Sequence, residues 1–115
     1  MPVERWVAGD VRDAAFLGRA LDLARPDVVF HLAGVSSVGG AAADPGLAAE
    51  VNVTATVRLL AEVARRRAAG ALDPVVVVVG SGEQYGRHDE DEQPLGEEAE
   101  QRPLSVYAAT KAAQE

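Results

Sequence analysis

The 115-residue chain contains no cysteine, one methionine, one tryptophan, two tyrosines and two phenylalanines. Without thiols there is no disulfide scaffold and no thiolate metal site, a composition that suits a reducing compartment. No apolar run approaches the ~20 residues of a membrane helix, and Met1-Pro2-Val3-Glu4-Arg5 does not open a signal peptide. The cytoplasm is therefore the expected location, with no membrane partner. Positive charge is scarce too: 11 Lys and Arg stand against 18 Asp and Glu, for a net charge of −7. Phosphate backbones require a basic footprint, so nucleic acid is not an expected partner. The two histidines, His31 and His88, lie far apart in sequence and suggest no metal pair.

What is present reads as a single domain with a modest core, 48% hydrophobic and 25% charged. Arg5-Trp6-Val7-Ala8-Gly9 is a short apolar run expected to end a strand. Asp13 is placed to cap a helix from Ala14 to Ala24, where Leu17, Ala20, Leu21 and Ala24 form a core-facing stripe that Pro26 terminates. Asp27 to Ala33 follows as a second, nearly continuous apolar strand. Gly34 to Ala43 is small and flexible, a candidate ligand loop at a strand's carboxyl end. Asp44-Pro45 starts a helix expected to run to about Ala69 and stop at Gly70, with Leu47, Val51, Ala55, Leu59 and Val63 as its buried stripe. Val75 to Val79 is a five-valine run, expected to be a strand buried on both faces. A last helix begins near Ser105. The order β-α-β-α-β-α predicts an α/β domain with a parallel sheet and right-handed crossovers.

Some motifs are decoys. Gly80-Ser81-Gly82-Glu83-Gln84-Tyr85-Gly86 has glycines spaced G-x-G-x-x-x-G rather than as a dinucleotide fingerprint, with no helix expected after it to face a pyrophosphate. Asn52-Val53-Thr54 matches a glycosylation sequon but falls inside a predicted helix. His31, on a buried strand, reads as a satisfied core residue. Between Arg87 and Arg102 stand Asp89, Glu90, Asp91, Glu92, Glu97, Glu98 and Glu100, a cluster read as a solvated loop.

Tyr107 and Lys111 are four apart and share a helical face. A phenol is a weak base at neutral pH, and a nearby ammonium stabilises its anionic form. Together they suit proton exchange with a hydroxyl or carbonyl while a bound cofactor exchanges hydride. Ser81, at the end of the valine strand, is placed to hydrogen-bond the same oxygen.

Gly9-Asp10-Val11-Arg12-Asp13, His31-Leu32-Ala33-Gly34, Ser81…Tyr85-Gly86 and Tyr107-x-x-x-Lys111 together resemble the extended short-chain dehydrogenase/reductases, the NAD(P)-dependent nucleotide-sugar epimerases and dehydratases. The wording is most similar to the GDP-mannose 4,6-dehydratase and GDP-4-keto-6-deoxymannose reductase branch. The resemblance implies a partial Rossmann-type three-layer parallel sheet over residues 1–115, its middle portion, lacking the glycine-rich N-terminal βαβ and the C-terminal substrate part. It also implies NAD or NADP as cofactor and a nucleotide sugar as substrate. Asp10 and Val11 would meet the adenine; Leu32, Ala33 and Gly34 would pass beneath the ribose and nicotinamide; Ser36 and Ser37 would approach the substrate. Ser81, Glu83, Tyr107 and Lys111 would form the catalytic set, Lys111 also holding the nicotinamide ribose and Ser81 and Glu83 also facing the substrate. Asn52 stands where relatives carry an asparagine beside the site, and reads equally well as an ordinary helix residue. Glu83, two positions after the serine, is where dehydratases place the base that removes the sugar C5 proton; Gly82 departs from their usual Asp or Ser. A reductase or epimerase, or a chain without activity, remains the alternative. Homodimers would form through the helices at 45–69 and 105–115.

Overall fold

The computed structural model describes residues 5–115. The elements are α1 (Ala14–Ala24), β1 (Val28–His31), α2 (Val38–Ala43), α3 (Pro45–Ala49), a π turn (Glu50–Thr54), α4 (Ala55–Ala68), β2 (Val75–Val78), 3-10 turns at Gly82–Tyr85 and Glu90–Glu92, and α5 (Val106–Gln114). β1 and β2 pair in parallel, Val28 opposite Val75 and His31 opposite Val78. This is the expected α/β arrangement, and both strands deliver their carboxyl ends to one edge.

α1 begins where its cap predicts: the Asp13 carboxylate accepts the Ala15 N–H at 2.9 Å. It ends at Arg25, whose left-handed φ of 42° precedes Pro26. Leu17 and Leu21 from α1 meet Leu59 and Val63 from α4, with Val29 and Val76 of the sheet beneath them. Burial of each such side chain contributes about 2 kcal/mol before entropy is counted. Arg66, almost fully buried, locks the two helices. Its guanidinium binds Asp22 bidentately at 2.7 and 2.8 Å, donates to the Gly18 carbonyl at 2.8 Å and pairs with Glu62. These bonds hold the carboxyls of Asp22 and Glu62 below their ordinary range.

The long helix departs from its expected stripe in an instructive way. Below Ala55 the buried positions are Leu59 and Val63, as the periodicity predicts, but above it they are Ala48 and Asn52 rather than Leu47 and Val51. The π turn is the cause. The Ala55 N–H reaches the Glu50 carbonyl five residues back, so one extra residue enters the turn and the upstream face rotates. Downstream, the helix ends at Ala68 and Gly70 turns the chain with φ +66°.

Three other expectations are corrected. Arg5–Gly9 forms no strand; Trp6 is 86% exposed and nothing among the described residues pairs with its backbone. The valine run alternates rather than burying both faces: Val75 and Val77 are exposed, as are Val28 and Phe30 in β1. Helices cover only one face of the sheet among the described residues, so a pleated strand can bury only every second side chain. The Gly34–Ala43 segment is half helix, because Ser37 caps α2 by accepting the Gly40 N–H at 3.0 Å.

Candidate active site

The site lies where both strands end. Asp44 closes α2 and caps α3, accepting the Leu47 N–H at 2.9 Å with Pro45 in the first helical position. That joint brings α3, the π turn and α2 against α5. Ser105 caps α5 through the Ala108 N–H at 3.0 Å, and Tyr107 and Lys111 follow on the helix.

Lys111 is buried, and its Nζ donates to the Val79 carbonyl at 3.0 Å, tying α5 to the residue just beyond β2. Gly34, beyond β1, lies over the same amine: a Cβ there would stand 3.9 Å from Lys111 Nζ and 2.9 Å from Asn52 Oδ1. One ammonium thus sits between the two strand ends, with further donors beyond the one given to Val79. Tyr107 is half-buried one turn earlier. Ser81 begins the 82–85 turn, which packs against α5; its hydroxyl accepts the Glu83 N–H at 3.3 Å. The Glu83 side chain is exposed and forms no ion pair among the described residues. Gly80–Gly86 contains this 3-10 turn and is followed by the short 3-10 turn at Glu90–Glu92, not by an α-helix.

Asn52, fully buried, holds the floor. Its Oδ1 accepts the Val35 N–H at 2.8 Å, and its Nδ2 donates to the Val35 carbonyl at 3.2 Å and to Thr110 Oγ1 at 2.9 Å. It joins the exit of β1 to the helix of Tyr107 and Lys111, and burial closes the sequon to glycosylation. Thr56, one turn on, donates to the Asn52 carbonyl at 2.7 Å, accepts from Gln114 Nε2 at 2.9 Å and lies 3.0 Å from His31 Nε2. His31 is the satisfied core histidine its position suggested. Burial, and then the Lys111 charge, push its pKa down.

At the other end of the π turn, Asp10 accepts Arg12 Nε and Nη2 at 3.0 and 2.6 Å, which lowers its pKa to about 2. Arg12 lies 3.7 Å from Glu50, and Arg58 donates to the Arg12 carbonyl at 2.6 Å. The π turn therefore braces both the Asp10–Val11 loop and the loop after β1. Leu32, Ala33, Gly34, Ser36 and Ser37 are all exposed beyond β1. The structure thus gathers Ser81, Lys111 and Gly34 around the two strand ends, with Tyr107 on the adjoining turn of α5. It sets Asp10 and Val11 apart, joined to the rest through the helix.

Thr56, Thr110, Gln84 and Gln114 were not singled out in the sequence. The available signal was polar residues on an otherwise apolar helical face: Asn52 and Thr56 interrupt the buried stripe four residues apart. Among the described residues no three His, Asp or Glu side chains gather as a metal site. No helix among the described residues is long and apolar enough to cross a membrane. The acidic loop is mostly exposed, with Glu92 at its centre: the Asp89 backbone N–H and then Arg102 lower its pKa to about 2.

A parallel α/β sheet whose strand ends meet a Tyr-x-x-x-Lys helix is the arrangement of the extended short-chain dehydrogenase/reductases. Within that class the chain belongs to the family described as GDP-mannose 4,6 dehydratase, whose model matches residues 3–115. A UDP-glucose 4-epimerase from Mycolicibacterium smegmatis is 38% identical over 96% of this chain and 33% of its own length. RMD from Pseudomonas aeruginosa, solved with NADPH, superposes with a TM-score of 0.81 at 30% identity, over 99% of this chain and 37% of that one. DesIV, a dTDP-glucose 4,6-dehydratase from Streptomyces venezuelae solved with NAD and TYD, gives 0.77 at 35% identity, over 96% and 31%. The chain spans about a third of the length of the curated relatives it matches.

Proposed function

We propose that this chain is the central catalytic portion of an NAD(P)-dependent nucleotide-sugar 4,6-dehydratase of the GDP-mannose type. The observation that carries the reading is the Lys111 ammonium, held by the Val79 carbonyl between the two strand ends, one helical turn from Tyr107 and beside the turn of Ser81 and Glu83.

The residues fit one end of a dinucleotide. Gly34 offers bare backbone over Lys111, and the donors Lys111 retains suit ribose hydroxyls. Leu32 and Ala33 would line the nicotinamide side, and Asp10 with Val11 the adenine. When bound, NAD or NADP accepts a hydride from the sugar and returns it. Tyr107, one helical turn from Lys111, would receive the proton of the sugar 4-hydroxyl while Ser81 donates a hydrogen bond to the same oxygen. Glu83, exposed and without an ion partner among the described residues, would take the C5 proton and return it to the departing C6 hydroxyl, which leaves as water. Ser36 and Ser37 would face the sugar nucleotide. Exposed Val57 and Leu60 on α4 suit pairing with a second copy through residues 45–69 and 105–115.

The test is incubation of the protein carrying this chain with GDP-mannose and NAD(P). A 4-keto-6-deoxy sugar product is expected, and Tyr107→Phe should abolish it; near-normal turnover of Tyr107→Phe sinks the reading. The 34% identity to a GDP-6-deoxy-D-mannose reductase from Pseudomonas aeruginosa, over 78% of this chain, favours a second reading, reduction of a 4-keto sugar, in which Glu83 is not a base. That enzyme would yield no 4-keto product from GDP-mannose and would reduce a supplied 4-keto sugar. Among the described residues Gly80–Gly86 offers no cradle for the pyrophosphate, because no α-helix N-terminus follows it to supply backbone donors. Calorimetry of the 115-residue chain with NAD and NADP is accordingly expected to show binding weaker than micromolar.

A further inference from the structure

We propose that Gln84 is a positioning residue for Ser81, itself held by the carboxylate of Glu115. The inference rests on the reading of Ser81 as donor to the substrate oxygen. Ser81 lies between two glycines, Gly80 and Gly82, and a side chain added at Gly82 would meet open space. Local sterics therefore do little to fix the serine, whose hydroxyl and carbonyl are held only within its own turn, by the Glu83 and Gln84 N–H groups.

The Gln84 amide supplies a further constraint. The side chain is 3% exposed, and its Oε1 accepts the Ser81 N–H at 3.0 Å. A buried primary amide has a second end, and leaving that NH2 without an acceptor is costly. Here Nε2 donates to the Glu115 carboxylate, which also accepts Gln101 Nε2 at 2.9 Å. Glu115 stands four residues beyond Lys111, just past the last turn of α5. The path Ser81–Gln84–Glu115 thus runs from the serine's own backbone to the helix that carries Tyr107 and Lys111. With the Lys111–Val79 bond it makes a second tie between the β2 exit and α5. A displacement of α5 would carry Ser81 with it, which preserves the register of serine, tyrosine and lysine.

The chemistry requires an amide at position 84, with one acceptor for Ser81 and one donor for Glu115. Leucine would fill the space but abandon both partners. A carboxyl group could accept from Ser81 but would face the Glu115 carboxylate, a like-charge pair that orders only when it shares a proton.

Hydrogen exchange of the 15N-labelled 115-residue chain tests this without reference to turnover. Gln84→Leu and Glu115→Ala should each speed exchange of the Ser81 amide about tenfold, the effect of losing one net hydrogen bond, while mid-α5 amides keep their rates. Gln84→Glu should protect Ser81 only at acidic pH. The exchange of partners, Gln84→Glu with Glu115→Gln, should restore protection across the pH range, since the carboxylate then accepts from both Ser81 and the new amide. Three results would overturn the proposal: an unchanged Ser81 rate in Glu115→Ala, a partner exchange that restores nothing, or α5 amides accelerating as much as Ser81. Turnover of Ser81→Ala in the protein carrying this chain examines the underlying reading separately, and the exchange results hold whichever way it falls.

Discussion

Asn52 shows how one side chain ties the site to its scaffold. Its three hydrogen bonds satisfy both backbone groups of Val35 and the Thr110 hydroxyl. Asn52→Leu keeps the volume but deprives the half-buried N–H and C=O of Val35 and the buried Thr110 hydroxyl of their partner, so we expect a loss of about 2–4 kcal/mol in urea unfolding. Asn52→Asp retains the acceptor for Val35 N–H and loses the donors; an intermediate loss is expected. The asparagine was legible as a residue near the site only through the family resemblance. From periodicity alone it was indistinguishable from an ordinary helix position, because the π turn that rotates it inward depends on which backbone groups compete for the Asn52 and Glu50 carbonyls. Ser81, Tyr107 and Lys111 drew attention through a strand end and a four-residue helical spacing, the second weak by itself and given weight by the first; their placement near the strand ends is what the structure adds.

At the level of elements, the caps Asp13 and Asp44 were read from sequence to the residue, and the last helix starts at Ser105 as expected, its cap being what the structure adds; all three act through short side chains on amides two or three residues ahead. Packing was less legible. A five-valine run carries no information about how many faces are covered, and Arg5–Gly9 has strand composition without a partner. The acidic loop is pinned by a backbone device that composition hid. At Gly86, φ is +64° and a Cβ would fall 1.8 Å from the Arg102 carbonyl, whose residue donates its own N–H to the Tyr85 carbonyl. Gly86→Ala must therefore displace the return of the loop toward α5. We expect a loss of about 3 kcal/mol from combined overpacking and backbone strain, seen as a lowered midpoint in thermal melts, with loop amides losing protection before those of α1 and α4.

For the molecule as a whole, acid should act in two stages. His31 is buried with its pKa lowered from 6.5, so as pH falls below that value the unfolded chain takes up a proton before the folded one does. Stability is complete above about 6.5 and declines toward the lower folded value. A second decline follows below about 4, where Asp22 and Glu62, both lowered by Arg66, must protonate and release the α1–α4 lock. Thermal melts between pH 8 and pH 5 should show the first stage in the parent chain and its absence in His31→Asn. The second stage should persist in both.

The Thr56 hydroxyl has one proton and three neighbours. If that proton goes to the Asn52 carbonyl at 2.7 Å, the oxygen can only accept from Gln114 and from His31. His31 Nε2 must then carry the hydrogen, which fixes a single imidazole tautomer with a bare Nδ1. In nitrogen-15-labelled protein the ring is thereby a reporter beneath the site: a long-range imidazole spectrum gives one protonated and one unprotonated nitrogen, and any movement that parts β1 from Thr56 of α4 reads out as tautomer exchange.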